Sequence, residues 1–377
     1  MSRELPNVPD VSQINQFVVR ILGQNPGPRT LQGTNSYLVG DPKSSRVLID
    51  TTIRGPGLSV YLNCLEKEFS QCTNGLPLSA IIITHWHPDH CQAVEDVLKL
   101  ADHNSSNNIP VYKCSTGPTL SSLGYYSGEV KNLQDNDTIP IDVQSNSVCC
   151  LRAIHTPGHA MDHLCFLLEK DNQPVCFFSG DLILGHGSTI VENLDEYMTS
   201  LHTVKNILSK INSNNRQQSV TLLPGHGLDV KDALNRVNEY LTNRLNRIEK
   251  TKMYFLDQST AGKWLKEGDI LRFVYPNIPD NLRFEALNNL RQSLFWLSTH
   301  NPNEISTASL SSSSSDNLLC RMTNSNSENI SITKEEFYTM LHREIVNACS
   351  VPSVPVNNNS VKPLREEWEW KWIHTME

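Results

Sequence analysis

Between Gln16 and Gly227 the apolar residues come in short runs, each closed by Gly, Pro, Asp or Asn. Runs rich in Val, Ile, Phe and Tyr between turn residues predict β-strands. Strands are expected over residues 17–22, 35–39, 47–50, 80–84, 111–114, 148–154, 164–168, 175–178 and 220–223. Helices are expected over 58–69, 93–101 and 197–211. In the last of these, Leu201, Val204, Leu208 and Ile211 recur at helical spacing. Strands interleaved with helices predict an α/β class.

The pattern changes after Asp229. One long helix is expected over 233–255, with Leu234, Val237, Leu241, Leu245 and Ile248 on one stripe, and a second over 282–297. The change places a domain boundary near residue 230, giving domains 1–230 and 231–377. Residues 301–332 are rich in Ser and Asn, with five serines from Ser311 to Ser315. That composition cannot bury enough apolar area to order itself, so a disordered insertion is expected there. A helix is expected over 334–346. Near the end, Trp368, Trp370 and Trp372 alternate with charges at strand period, which favours an edge strand over a base-stacking platform.

Composition narrows the class. At about 100–200 residues per domain, a chain of 377 residues has room for two domains. No apolar run reaches the ~18 residues of a spanning helix, so no membrane partner is expected. The first residues pair Arg3 with Glu4 and lack an apolar stretch, unlike a secretory signal or an Arg-rich transit peptide. The ten cysteines show no C-x-x-C spacing, and several lie in apolar runs. They read as reduced, mostly buried thiols of an intracellular protein. A net charge of −8 argues against a uniformly basic nucleic-acid binder. Residues 231–300 nevertheless carry an excess of three positive charges, with Arg244, Arg247, Lys250 and Lys252 clustered. Such a segment can follow a phosphate backbone, or form an ordinary solvated helix face.

The chemistry concentrates in Thr84-His85-Trp86-His87-Pro88-Asp89-His90, directly after an apolar strand. Pro88 predicts that the chain leaves the strand as a loop. Imidazoles and a carboxylate aimed from one loop suit Zn²⁺. Three further strand ends each offer one metal-binding side chain beside a glycine: Thr156-Pro-Gly-His159, Ser179-Gly-Asp181 and Pro224-Gly-His226. Cys91 reads as a small buried residue rather than a soft ligand. His155 reads as structural, while His163 and His186 are candidates to protonate a leaving group.

These clusters resemble the metallo-β-lactamase superfamily, in the hydrolase branch shared by glyoxalase II and ribonuclease Z. The resemblance implies an αββα sandwich holding two zinc ions. One would take His85, His87 and His159, the other Asp89, His90 and His226, with Asp181 bridging. Asp50 would support the histidine loop from behind. Asp89 and His90 would be the catalytic residues, acting with a hydroxide shared between the zincs. The sequence departs from the pattern at Cys91-Gln92-Ala93, where Gly-Gly is usual, at Thr52 and at Ala160; no proposed ligand is lost.

A longer resemblance runs from Val19 to Gly40, including Asn25-Pro-Gly and Leu31-Gln-Gly-Thr-Asn, and again from Gly180 to Gly187. These segments are similar to a mitochondrial endoribonuclease of the superfamily. That likeness implies single-stranded RNA as substrate, a winged-helix-like C-terminal domain and the mitochondrial matrix. The N-terminus alone would point to the cytosol. Related thioesterases share the same signature, so a glyoxalase-II-like thioesterase is the alternative. A metal-free binding protein is a third reading, disfavoured by the intact ligand set. The ligand set itself does not choose between phosphorus and an acyl carbon.

Overall fold

The computed structural model describes residues 5–73, 75–102, 109–142, 147–214, 219–256, 264–300 and 369–371. It divides into two units, one of Met1–Thr189 with Glu196–Tyr240, the other of Ile190–Asp195 with the described residues from Leu241 onward. The division falls inside a helix, whereas the compositional change near residue 230 coincides with the start of that helix at Ala233.

The first unit is built on two sheets. One has seven strands in sequential order: β1 (Val11–Asn15), β2 (Val18–Leu22), β3 (Asn35–Val39), β4 (Arg46–Ile49), β5 (Leu78–Ile82), β6 (Val111–Lys113) and β7 (Val130–Asn132). Its first four strands pair antiparallel and the rest parallel; crossovers containing helices join β4 to β5 and β5 to β6, and a longer irregular connection joins β6 to β7. The other sheet has the order β12 (Thr221–Pro224), β11 (Gln173–Gly180), β10 (Leu164–Lys170), β9 (Cys149–His155) and β8 (Thr138–Ile141).

Strand alternation explains the layering. From β2–β5, Val18, Tyr37, Val39, Val47, Ile49, Ala80 and Ile82 point inward. They share one core with Leu151, Ala153, Phe166, Phe178 and Leu223 of the other sheet. The opposite face of the first sheet, Val19, Ile21, Leu38, Leu48 and Ile81, packs with helices α1 (Leu58–Phe69) and α3 (Val94–Ala101). Between β5 and α3 lies the one-turn helix α2 (Pro88–Cys91). Helix α4 (Leu194–Asn214) buries Tyr197, Leu201, Val204 and Leu208 in its first-unit part. There Tyr197 donates from its hydroxyl to the Leu182 carbonyl, and Ser200 donates to that of Pro157.

The second unit takes the end of α5 (Ala233–Leu256), α6 (Glu267–Val274) and α7 (Arg283–His300). It also holds an antiparallel ladder of β13 (Trp264–Lys266) and β14 (Glu369–Lys371). Its described residues are thus mainly helical, as expected for the region after residue 230, with one short ribbon. Trp370 lies in β14, within the segment read as an edge strand. The Ser/Asn-rich stretch 301–332 and the helix expected over 334–346 lie outside the described residues.

Several expectations are corrected. The chain does leave β5 as a loop, residues 83–87, but the loop ends sooner than expected: Pro88 occupies the first helical position of α2, where a missing N–H costs nothing. Strand β5 is Leu78–Ile82, two residues earlier than expected. Strands β1, β7, β8 and β13 and helix α6 were not foreseen. The basic cluster is also less available than its spacing suggests. Arg244 is buried and donates to Asn289, and Lys250 donates to the Val274 carbonyl. Both charges are engaged inside the second unit.

Candidate metal centre

The four predicted clusters meet in the first unit. His85 and His87 follow β5, and Asp89 and His90 sit in α2; His159 follows β9, Asp181 follows β11 and His226 follows β12. Turn geometry makes this approach possible. Gly180 has φ +47°, and Gly225 packs so closely that a methyl group there would overlap Asp181 Oδ1 and stand 2.9 Å from His90 Cε1.

Two groups of ligand atoms converge. In the first, His85 Nε2 lies 2.9 Å from His87 Nδ1 and 3.2 Å from His159 Nε2, and the last two are 3.1 Å apart. In the second, His90 Nε2 and His226 Nε2 are 3.3 Å apart, and Asp89 Oδ2 is 3.4 and 3.2 Å from them. Nitrogens bound tetrahedrally at the usual zinc distance stand about 3.3 Å apart. Both triangles match that spacing. Asp181 reaches both groups: Oδ1 is 3.5 Å from His90 Nε2, and Oδ2 is 3.3 Å from His226 Nε2 and 3.7 Å from His159 Nε2. Its Oδ1 is buried without a hydrogen-bond partner among the described residues. An inward-facing orphan carboxylate oxygen between imidazoles is what a cation would satisfy.

The outer atoms of the rings fix which nitrogen faces inward. Asp50 accepts from the Thr84 N–H at 2.7 Å, the Thr84 hydroxyl at 2.8 Å and His90 Nδ1 at 2.8 Å. Because the Thr84 hydroxyl donates to Asp50, it accepts from His85 Nδ1 at 2.9 Å. His159 Nδ1 meets Thr189 Oγ1 at 3.0 Å, and His226 Nδ1 donates to the Gly33 carbonyl at 3.2 Å. In all four rings Nε2 is therefore left as the inward ligand atom.

Electrostatics follow the same division. Burial opposes a charge on His226, but Asp181 and Asp89 outweigh it and lift its pKa to about 9. His90 is raised well above the ordinary range by Asp89, Asp181 and Asp50, again against burial. Despite burial, the carboxyls of Asp89 and Asp181 are held well below the usual carboxylate range by His90 and His226. His85 is instead pushed well down, first by burial and then by the histidines around it. Acidic groups thus gather at the second triangle, imidazoles at the first.

Two other histidines are sorted by the geometry. His163 is fully buried; its Nε2 accepts from the Asp181 N–H at 3.0 Å and its Nδ1 meets Thr156 Oγ1 at 2.9 Å. It has no route to a leaving group and serves instead to hold Asp181. His186 is exposed, on the loop after β11. Cys91 is fully buried and donates to the carbonyls of Trp86 and His87. Thr34 was not singled out from sequence, yet its hydroxyl lies 3.3 Å from Asp89 Oδ2.

A family model described as the metallo-beta-lactamase superfamily matches residues 29–226, which spans every one of these ligands. The chain belongs to the metallo-beta-lactamase superfamily. Within it, the chain is 33% identical over 302 residues to lactamase-like protein adaB of Aspergillus niger, covering 78% of this chain and 83% of that one. It is 31% identical over 297 residues to lactamase-like protein aptB of Emericella nidulans, covering 78% and 84%. Among solved structures it is similar to a beta-lactamase domain protein from Burkholderia ambifaria (TM-score 0.59, 18% identity, 86% of this chain and 98% of that chain). A metallo-beta-lactamase family protein from Thermus thermophilus gives a TM-score of 0.57 at 18% identity, covering 79% and 97%. The superfamily fold and its His/Asp cluster make this chain a candidate for a divalent metal and for metal-dependent hydrolysis.

Proposed function

We propose that the protein is a two-zinc hydrolase that cleaves phosphodiester bonds of single-stranded RNA. One observation carries the hydrolase reading: two triangles of ligand atoms at zinc spacing share the carboxylate of Asp181. His85, His87 and His159 would hold one ion, and Asp89, His90 and His226 the other. Bound there, the ions would supply Lewis acidity and bring the pKa of a water molecule near 7. The chain's own residues do the rest. Asp89 is the partly exposed member of the set, its side chain 19% accessible, so it faces the side from which substrate arrives. Its contacts run through Oδ2, which leaves Oδ1 to orient the attacking water. His90, held by Asp50, keeps its Nε2 fixed beside Asp89 and Asp181. His186 is the exposed candidate to protonate the leaving oxygen.

RNA as substrate rests on the similarity of residues 19–40 and 180–187 to a mitochondrial endoribonuclease, and that similarity also supports a matrix location. The burial of Arg244 limits how much of the α5 charge can meet phosphates. A thioester reading is supported by the same N-terminal signature. One assay separates them. Labelled single-stranded RNA, double-stranded RNA, S-lactoylglutathione and an acyl-CoA are offered to the same sample, with its zinc content measured. Cleavage of single-stranded RNA that an Asp89→Ala, His90→Ala double variant loses is the expected result. Intact RNA with rapid thioester turnover would select the second reading.

A further inference from the structure

The segment Leu31-Gln-Gly-Thr-Asn enters no step of the reaction, yet it grips the second triangle at two points. The Gly33 carbonyl receives the His226 Nδ1 proton at 3.2 Å. Next to it, Thr34 Oγ1 stands 3.3 Å from Asp89 Oδ2. The direction of that bond is settled by Asn25. Its Oδ1 accepts from the Thr34 N–H at 2.8 Å, so its amide nitrogen faces Thr34 Oγ1, to which it donates at 3.0 Å. A hydroxyl that already accepts from an amide has its one proton left to give. That proton points at Asp89. Asn35 secures the turn from below, donating to the carbonyls of Pro224 and Gly227 on either side of His226. Thr34 and Asn35 are both buried. The first triangle is anchored elsewhere, through Thr84 and Thr189.

We infer that Thr34, oriented by Asn25, is a positioning residue for Asp89, and that the 33–35 turn thereby sets how tightly the Asp89–His90–His226 group holds a divalent cation. The inference rests on the two-ion reading above. Loss of an outer partner of this kind costs about 10–100-fold in metal affinity. The hydroxyl is charge-assisted toward a carboxylate, and removing it frees Asp89 to swing from the line of His90 and His226.

The test is zinc titration of the metal-stripped full-length chain against a competing chelator, without any substrate. Wild type should take two ions in distinguishable steps. Thr34→Val, nearly isosteric, should weaken the step of the Asp89–His90–His226 group, here the second step whatever the order of loading, about 10–100-fold and leave the other as in wild type. Thr34→Ser should restore the second step. Asn25→Ala leaves Thr34 in place but releases its hydroxyl, and should weaken the second step alone. This variant carries the test if Thr34→Val lowers the melting temperature sharply. Wild-type affinity at both steps in Thr34→Val and Asn25→Ala overturns the role of Thr34 and leaves the two-ion reading standing. A loss shared by both steps overturns it too, because it marks a general packing defect. A wild type that takes a single ion overturns both.

Discussion

A single carboxylate, Asp50, stands behind both ligand groups. It accepts from His90 directly and from His85 through the Thr84 hydroxyl, while also taking the Thr84 backbone N–H. It does so from a left-handed backbone, φ +58°, which Asp tolerates better than most side chains. Asp50→Asn keeps the shape but replaces one acceptor oxygen with a donor, so either Thr84 or His90 loses its partner. Metal affinity should fall about 10–100-fold. The rate with saturating substrate should fall more than KM rises, because Asp50 touches no substrate. Zinc binding by the variant at wild-type strength would contradict this. Asp50 was legible from sequence because its position at the end of a β run is part of the family pattern. Thr34 was not, since its bond to Asp89 joins residues 55 apart and has no periodicity to reveal it.

Among the elements, those with two buried faces were the easiest to read. Strands β2, β3 and β4 are buried at every position, and their apolar runs show it. The missed strands are those without such a run. β7, Val130–Asn132, has no fully buried position, and β8, Thr138–Ile141, contains Pro140. Both end their sheets, where Pro and polar side chains are tolerated. The bulky inward residues of β9–β11 position the loops that hold His159 and Asp181. One of these loops has a second anchor that no pattern predicts. Lys113, closing β6, pairs with Asp162 at 2.5 Å, both buried, three residues beyond His159. Removing one partner of such a pair costs about 3–5 kcal/mol, since the other charge stays buried. Lys113→Met should therefore destabilise the fold by about that amount in urea unfolding and weaken zinc binding at the His85–His87–His159 group first. Replacing both partners with apolar residues should recover most of the stability but not the loop's hold on His159. A Lys113→Met chain as stable as wild type would refute the argument.

At the scale of the molecule, the candidate metal centre is a store of unlike charges that must be balanced by protons when no cation sits there. His226, at about 9, and His90 hold protons more tightly in the fold than a free imidazole does at 6.5. Their stabilisation is complete below pH 6.5 and is lost as pH rises through the folded-state values. His85 and His163 run the other way. Burial first, and neighbouring imidazoles second, keep both well below 6.5. Their contribution is present above pH 6.5 and is lost as pH falls. The two sets together give the metal-free chain a stability maximum near pH 6.5, with a decline toward pH 9 and another toward acid. Asp89 and Asp181, held well below 3.8, extend the acid decline further down. Bound zinc takes imidazole in its neutral form, so it replaces the protons that His90 and His226 otherwise need. Melting temperatures of the stripped chain should therefore peak near pH 6.5. Those of the zinc-loaded chain should stay level or rise toward pH 9 and fall more steeply below 6.5, where protons compete for the same nitrogens. A stripped chain that gains stability between pH 6.5 and 9 would mean that His226 and His90 are not the proton-holding pair, and that the acidic cluster around them is neutralised in another way.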